Sequence, residues 1–277
     1  MDLDDVTASG TETFQYGDKL LQVLEAVNDD ACLVVSLDSN CIGKVNKRNK
    51  KTKKKNITVN SLCVTGSRDL YVTDYKNKSN VRLSPSGSVS TVLSTAPLEP
   101  GGICQSIEKE LLVSLMDENS EPLQLNPQSQ RLVRHVTLTG DVIREYEYQE
   151  DGKTRLFTLP WRVRQNGNND ICVVNLTNDD ISELVILSFS GCLKSVYRGQ
   201  NHMKHFTPSD VVCDSGYKII VSDIDNSHIH VLSPAGEFLK YLLNENEVTR
   251  PSAMSLYKST LWVGNKRGYI HVFQYDT

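Results

Sequence analysis

The stretch Pro208-Ser-Asp-Val-Val-Cys-Asp-Ser-Gly-Tyr-Lys-Ile-Ile-Val-Ser-Asp-Ile-Asp-Asn-Ser-His-Ile-His-Val-Leu-Ser-Pro-Ala-Gly236 decides the fold, because its parts recur along the chain. Its apolar run Ile219-Ile-Val-Ser-Asp223 has counterparts in Cys32-Leu-Val-Val-Ser36, Leu70-Tyr-Val-Thr-Asp74, Leu111-Leu-Val-Ser-Leu115, Ile171-Cys-Val-Val-Asn175 and Leu261-Trp-Val-Gly-Asn265. Aligning Val34, Val72, Val113, Val173, Val221 and Val263 gives steps of 38, 41, 60, 48 and 42 residues. Pro100, Pro160 and Pro208 lie 13 residues before their valine, and Pro251 lies 12 before. A repeat of about 40 residues built from short strands is the signature of a β-propeller or a related array. The expectation is an all-β, six-bladed propeller.

Each repeat reads as strands a, b, c and d. Strand a follows the proline slot, in Gly102–Gln105, Arg162–Arg164, Asp210–Cys213 and Ser252–Met254. Proline suits a place before the ladder begins, since it has no donor to contribute; Asn60 takes the slot in the second repeat. Strand b is the apolar run. Its length of about five residues and its β-branched content fit a strand buried on both faces better than a helix. Strand c follows a polar turn, as in Val81–Leu83, Leu184–Leu187, His228–Val231 and Tyr269–Phe273. The turn to strand d then recurs as Ser84-Pro-Ser-Gly87, Ser188-Phe-Ser-Gly191 and Ser233-Pro-Ala-Gly236, with proline fixing φ early and glycine freeing it late.

One domain of 277 residues accommodates all of this, with blades at about 20–58, 59–97, 98–157, 158–205, 206–248 and 249–277. The third repeat has room for insertions around Glu118–Arg131 and Tyr148–Arg155. The last repeat reaches Thr277 after its c strand, so the stretch 11–16 is expected to supply its outer strand and close the ring.

Composition bounds the class. The chain is 39% apolar and 23% charged, as soluble domains are, and no run approaches the 18 apolar residues of a membrane span. The N-terminus is acidic and lacks a signal-peptide pattern. Seven widely spaced cysteines without a C-x-x-C pair suggest neither a disulfide framework nor a zinc site. An intracellular, cytoplasmic protein without a membrane partner or cofactor is expected. Net charge is −4, yet Lys44, Lys47, Arg48, Lys50, Lys51, Lys53, Lys54 and Lys55 concentrate eight basic residues in twelve positions. Without them the balance would be −12.

With the repeats aligned, the pattern resembles the NHL repeat: proline, then Ile220-Val-Ser-Asp223, His228-Ile-His-Val231 and Gly236-Glu-Phe-Leu239. From Leu156 to Gln274 the chain is similar to the C-terminal part of invertebrate, including molluscan, tripartite-motif (TRIM) NHL proteins, through Asn169–Asn175, Val196–Gln200 and Tyr257–Gly264. The RING, B-box and coiled-coil modules of that family have no counterpart in these 277 residues. The resemblance implies a recognition module that recruits a protein partner or ubiquitylation substrate and is not itself an enzyme; some propellers of this type bind RNA. Tyr71-Val-Thr-Asp74 is also similar to the Y-W-T-D propellers of secreted receptors. The N-x-[ST] sequons at Asn56, Asn77 and Asn175 would matter only in that setting.

Candidate sites follow from where the repeats differ. Asp74, Lys76, Lys78, Arg162, Asn175, Asp223, Asp225, Arg250, Asn265, Lys266 and Arg267 sit where strand b ends and strand a begins, on one rim, and are the expected partner-binding residues. For Asp74 and Asp223 the competing reading is local turn capping. The basic run falls on the first c-to-d hairpin and suits nuclear import, nucleic acid or simple edge protection; it lacks interleaved aromatics for base stacking. His228 and His230 share a strand face with His202 and His205 nearby, but His230 and His271 occupy one repeat slot, which favours structure over metal. Trp161 and Trp262 are expected in the core, or Trp161 at the channel mouth. No nucleophile elbow, Walker loop, dinucleotide fingerprint or H-E-x-x-H occurs in the sequence. Calcium-dependent lactonases share the six-bladed fold and form a third, weaker reading, since Gln105, Asp210 and Arg164 on the a strands do not make a carboxylate set.

Overall fold

Every one of the six apolar runs becomes the second strand of a four-stranded antiparallel sheet in the computed structural model. The structure describes residues 6–277 apart from 38, 40, 49–50, 87, 118–122, 179–181 and 201–204, and no side chains over 52–56. Lys50, Gly87, His202, part of the third-repeat insertion and the side chains of Lys53, Lys54 and Lys55 therefore lie outside the described residues.

Blade 1 is β2 (Leu21–Asn28), β3 (Ala31–Ser36), β4 (Cys41–Asn46) and β5 (Lys51–Asn56). Blade 2 is β6 (Ser61–Val64), β7 (Leu70–Asp74), β8 (Ser79–Leu83) and β9 (Val89–Ser94). Blade 3 is β10 (Glu99–Gln105), β11 (Leu111–Met116), β12 (Arg131–Val136) and β13 (Val142–Tyr146). Blade 4 is β14 (Leu159–Gln165), β15 (Ile171–Leu176), β16 (Ser182–Leu187) and β17 (Leu193–Tyr197). Blade 5 is β18 (Pro208–Cys213), β19 (Ile219–Asp223), β20 (His228–Leu232) and β21 (Phe238–Leu243). Blade 6 joins β22 (Pro251–Tyr257), β23 (Thr260–Asn265) and β24 (Tyr269–Asp276) to β1 (Thr7–Gln15). This is the architecture of a six-bladed β-propeller. No helix among the described residues is long and apolar enough to cross a membrane. The blades fall into two compact units: Met1–Ile57 with Gly199–Thr277 carries blades 5, 6 and 1, and Thr58–Arg198 carries blades 2, 3 and 4.

In each unit the b strand explains the packing. Side chains alternate between the two faces of a strand. In the second unit Val113, with Leu111 and Leu115, packs towards blade 2, whereas Leu112 packs with Val163 and Val173 of blade 4. In the first unit Val263 and Leu261 join Ile220 and Val231 of blade 5, whereas Trp262 joins Leu21, Leu24 and Val34 of blade 1. The aligned valine thus faces the preceding blade, and its neighbours face the next. Trp262 is fully buried, as expected of a core residue.

The proline slot differs from expectation in one respect. Pro100, Pro160, Pro208 and Pro251 do pair, opposite Leu115, Asn175, Asp223 and Asn265, and each is followed by a β-bulge. The bulge turns the next residues out of the ladder, and their backbone groups need other partners. In blades 3 and 5 the hydroxyl after the aligned valine supplies one. Ser114 Oγ accepts from Gly102 N at 2.7 Å, and Ser222 Oγ accepts from Asp210 N at 3.0 Å. Thr73 Oγ1, in the unbulged blade 2, accepts from Ser61 N and donates to the Gly101 carbonyl of blade 3 at 2.8 Å. Ser209 Oγ donates in the same way to Pro251 O, and Ser252 Oγ to Leu21 O. A Cβ on Gly102 would lie 2.9 Å from Arg162 Cα and Val163 N, so only glycine lets the inner strands of blades 3 and 4 approach.

The c-to-d turns place Gly140, Gly191 and Gly236 at φ near 100°, 98° and 88°. The a-to-b turns have the same backbone bonds but put Arg68, Lys109, Asn169 and Tyr217 at the left-handed position. The two insertions of blade 3 meet: Arg155 pairs with Glu147 at 2.7 Å and donates to Pro127 O at 3.3 Å. Arg131, expected within the insertion, instead opens β12 and pairs with Asp117.

The N-terminal strand completes blade 6, over a longer stretch than expected, with a bulge between Gly10 and Glu12. Thr13 Oγ1 lies 3.1 Å from His271 Nδ1, and His271 Nε2 is buried with no hydrogen-bond partner among the described residues. Burial holds this imidazole below its ordinary value.

Two outcomes are expected. Ser222→Ala strands the Asp210 amide and should cost about 1–3 kcal/mol in urea unfolding, while an exposed control such as Ser215→Ala should cost little. For His271 the folded-state pKa is depressed, so its contribution is intact above about pH 6.5 and is lost as pH falls below that. Amide exchange in β1 should therefore accelerate between about pH 7 and 5 beyond its intrinsic pH dependence, and His271→Gln should remove the excess.

Candidate functional site

The rim residues serve two different purposes, and the units are described in turn. In the second unit Asp74 is buried and accepts from Asn77 N at 3.1 Å and Asn77 Nδ2 at 2.7 Å. Asn175 accepts from Thr158 N and Leu159 N and donates to Glu183. Arg162 is buried, its guanidinium 4.7 Å from the ring centre of Trp161, which is half-buried at the bulge of β14. Lys76 is exposed, and Lys78 sits at φ 44° in the turn after β7. Asp74 thus caps its own turn, and Asn175 ties the start of β14 to Glu183.

The first unit gathers more chemistry, at the β19–β20 turn of blade 5. Asp223 is fully buried and accepts from Thr207 N, Asn226 N and Asn226 Nδ2, the last at 2.7 Å. Burial raises its carboxyl above the usual range, opposed by the Asn226 side chain, the two amides and the nearby His228. His230 Nε2 lies 3.6 Å from the same carboxylate. His228 stands directly opposite Asp223 in register and is half-buried. Its Nδ1 lies 2.5 Å from the Asn226 carbonyl. In the neutral ring Nδ1 therefore carries the proton and Nε2 the lone pair. Tyr241 packs edge-on to both imidazoles, at 4.6 Å from His228 and 4.9 Å from His230, and burial raises its phenol pKa.

Next to this cluster Arg250 pairs with Asp225 at 2.7 Å, and Asp225 also accepts from Thr207 Oγ1. The Arg250 backbone amide donates to Ser227 Oγ, one residue from His228, and its carbonyl accepts from Lys266 N. Asn265 Oδ1 caps its own turn by accepting from Arg267 N and Tyr269 N, leaving Lys266 and Arg267 exposed. Of the rim residues expected from sequence, Asp223, Asp225, Arg250 and Lys266 thus form one connected group. His228, Asn226 and Tyr241 join them without having been singled out for acid–base work. The signal available was a histidine opening strand c opposite an aspartate closing strand b.

The basic run occupies the β4–β5 hairpin as expected, with β5 at the edge of its sheet. Lys51 Nζ donates to Tyr16 O at 2.7 Å and lies 5.2 Å from the Tyr16 ring centre, a structural role; Arg48 is exposed, and Lys44 and Lys47 are half-buried.

Among the described residues no three His, Cys, Asp or Glu side chains converge as a metal site would need. Asp210, the inner-strand carboxylate, has its oxygens committed to Val211 N at 2.9 Å and Met254 N at 2.8 Å. The described donor set does not fit the calcium of the lactonase reading.

No family model and no curated protein sequence matches the chain. Solved structures do match. A structural-genomics target assigned as a gluconolactonase shares 16% identity with a TM-score of 0.74, over 98% of this chain and 94% of its own. A gluconolactonase from Xanthomonas campestris shares 10% identity with a TM-score of 0.70, over 95% and 89%. A catalytically inactive histidine-to-alanine variant of virginiamycin B lyase from Staphylococcus aureus, with quinupristin, shares 11% identity with a TM-score of 0.64, over 98% and 99%. At these identities the likeness is one of fold. It corrects one expectation: several of the propellers on which this chain superposes are described as enzymes, which speaks against the expected binding module without activity. None of these three structures speaks for the TRIM NHL type.

The raised Asp223 carboxyl has a measurable consequence. A folded-state pKa above the unfolded value of about 3.9 makes its contribution greatest in acid and erodes it as pH rises through the folded value. The difference in urea midpoint between the protein and Asp223→Asn should shift in favour of the variant as pH rises from about 4 to 7; a constant difference would mean that burial does not act on Asp223.

Proposed function

We propose that this chain is an enzymatic propeller that opens a cyclic ester by general-base catalysis at the rim of blade 5. The observation that carries the reading is His228, whose Nδ1 is committed to the Asn226 carbonyl while the half-buried ring keeps Nε2 as a proton acceptor. Tyr241 packs edge-on against the ring, and buried Asp223 stands opposite His228 in the strand register. Two of the solved neighbours are described as gluconolactonases, and a third, a lyase, is described as inactive when a histidine is replaced by alanine.

In this reading His228 Nε2 takes a proton from water as the water oxygen adds to the acyl carbon. The ring C–O bond then breaks, and the departing alkoxide takes the proton back from His228, leaving an open hydroxy acid. Arg250, oriented by Asp225, offers a guanidinium to the carbonyl oxygen as it gains negative charge. Residues of this chain supply every group in that scheme.

A panel of sugar lactones and acyl lactones, followed by pH-stat titration of the released acid, tests it. His228→Gln should lower kcat/KM by about 10²–10⁴-fold with an unchanged melting temperature. Full turnover by His228→Gln would remove the assigned base, and absence of turnover on every lactone would sink the cyclic-ester reading.

A further inference from the structure

Asp223 closes β19 and His228 opens β20, so the two stand across the turn Asp223-Ile-Asp-Asn-Ser-His228. Between the described side chains of Asp223 and His228 there is no hydrogen bond. The carboxylate reaches the imidazole by way of Asn226. Asp223 Oδ1 accepts from Asn226 N at 3.4 Å, and Asp223 Oδ2 accepts from Asn226 Nδ2 at 2.7 Å. Asn226 Nδ2 also donates to the His205 carbonyl at 2.8 Å. These bonds fix the residue whose own carbonyl faces His228 Nδ1. Ser227, between the two, is in the left-handed region at φ 55°, which a residue other than glycine adopts where its surroundings impose it. Its Oγ accepts from Arg250 N at 3.0 Å.

We infer that Asp223 and Asn226 are positioning residues for proton transfer at His228, an inference that rests on the reading of His228 as the base. A carbonyl oxygen only accepts, so the ring nitrogen facing it must carry the proton. Nε2 then keeps the lone pair that takes a proton from water. A carbonyl free to swing would let the ring proton pass to Nε2, and that tautomer has no acceptor at the working nitrogen. Where a base is paired with an orienting group, the orienting group ordinarily bonds to the base itself. In blade 5 the carboxylate stands one step back: it anchors Asn226, and the main-chain carbonyl of Asn226 orients the ring. Blade 2 supplies the comparison. Asp74 holds Asn77 by the same two bonds, at 3.1 and 2.7 Å, Lys78 stands at φ 44°, and Ser79 takes the place of His228. The clamp is therefore a turn device of the fold that blade 5 turns to use. Blade 5 adds the bonds from Asn226 to His205 and from Arg250 to Ser227, which hold Arg250 in register with the ring.

The tautomer can be read in long-range proton–nitrogen NMR spectra of the full chain labelled at its histidines. At about pH 8 an ordinary imidazole is neutral, and His228→Gln identifies the resonance. The unmodified protein should show Nδ1–H. In Asn226→Ala that population should fall toward the mixture of free histidine. Turnover of the best lactone should then lose about 10–100-fold in kcat with KM little changed, because Asn226 orients the base without touching substrate. Asp223→Asn should act in the same direction; Asn226→Ala, at a half-buried turn position, keeps the test decisive should Asp223→Asn fold poorly. Asn77→Ala removes the matching clamp of blade 2 and should lower Tm without altering the His228 signal or kcat. An unaltered Nδ1–H signal in Asn226→Ala, or an equal loss of kcat in Asn77→Ala, would overturn the positioning role. A signal that responds to Asn226→Ala in a protein that opens no lactone upholds the clamp and rejects the ester reading. Nε2–H in the unmodified protein rejects the clamp whatever the turnover.

Discussion

Burial of each b strand on both of its faces is the constraint on which the remaining structure depends. A blade has no core of its own. Leu111, Val113 and Leu115 turn to one neighbour while Leu112 turns to the other, and in blade 6 Val263 and Trp262 divide in the same way. Each fully buried valine or leucine contributes about 1.5–3 kcal/mol relative to exposure. That contribution is made only when the neighbouring blade is present. Continuous apolar runs are therefore a necessity of the architecture, and the outer strands, with one face in water, are free to be polar.

Close packing of inner strands creates a second requirement. The bulges after the proline slots release backbone groups that water cannot reach, and in blades 3 and 5 a hydroxyl at a fixed place on strand b answers one of them. Hydroxyls also reach the next blade, from Thr73 on strand b and from Ser209 and Ser252 on strand a. The strand b bonds are the work of the threonine or serine after the aligned valine in blades 2, 3 and 5. Blade 6 has Gly264 there, where a Cβ would lie 2.9 Å from Leu21 Cβ.

The rim showed its composition in sequence but not its division of labour. Asp74 and Asp223 occupy one repeat position and make the same bonds to an asparagine three residues on. What separates them is the partner across the hairpin, Ser79 in one and His228 in the other. The repeat alignment drew attention to His230 and His271 as a pair. His228 was weighed only with His230 as a metal candidate, and its significance comes from a carbonyl contact made by the folded turn. The hydrogen bond from Tyr275 to Asp214 was invisible for a related reason: the two are 61 residues apart and meet only because successive blades stack.

The amino-acid sequence by itself determined the number of blades, the place of strand b, the turn glycines and the outer strand lent to blade 6, because each rests on local periodicity or on a residue's own backbone preference. Only the tertiary structure decided which polar residues are turn caps and which face solvent, and that the described carboxylates do not assemble a calcium site. Those properties depend on distances between residues far apart in the chain, and a repeat pattern, being the same in every copy, carries no information about them.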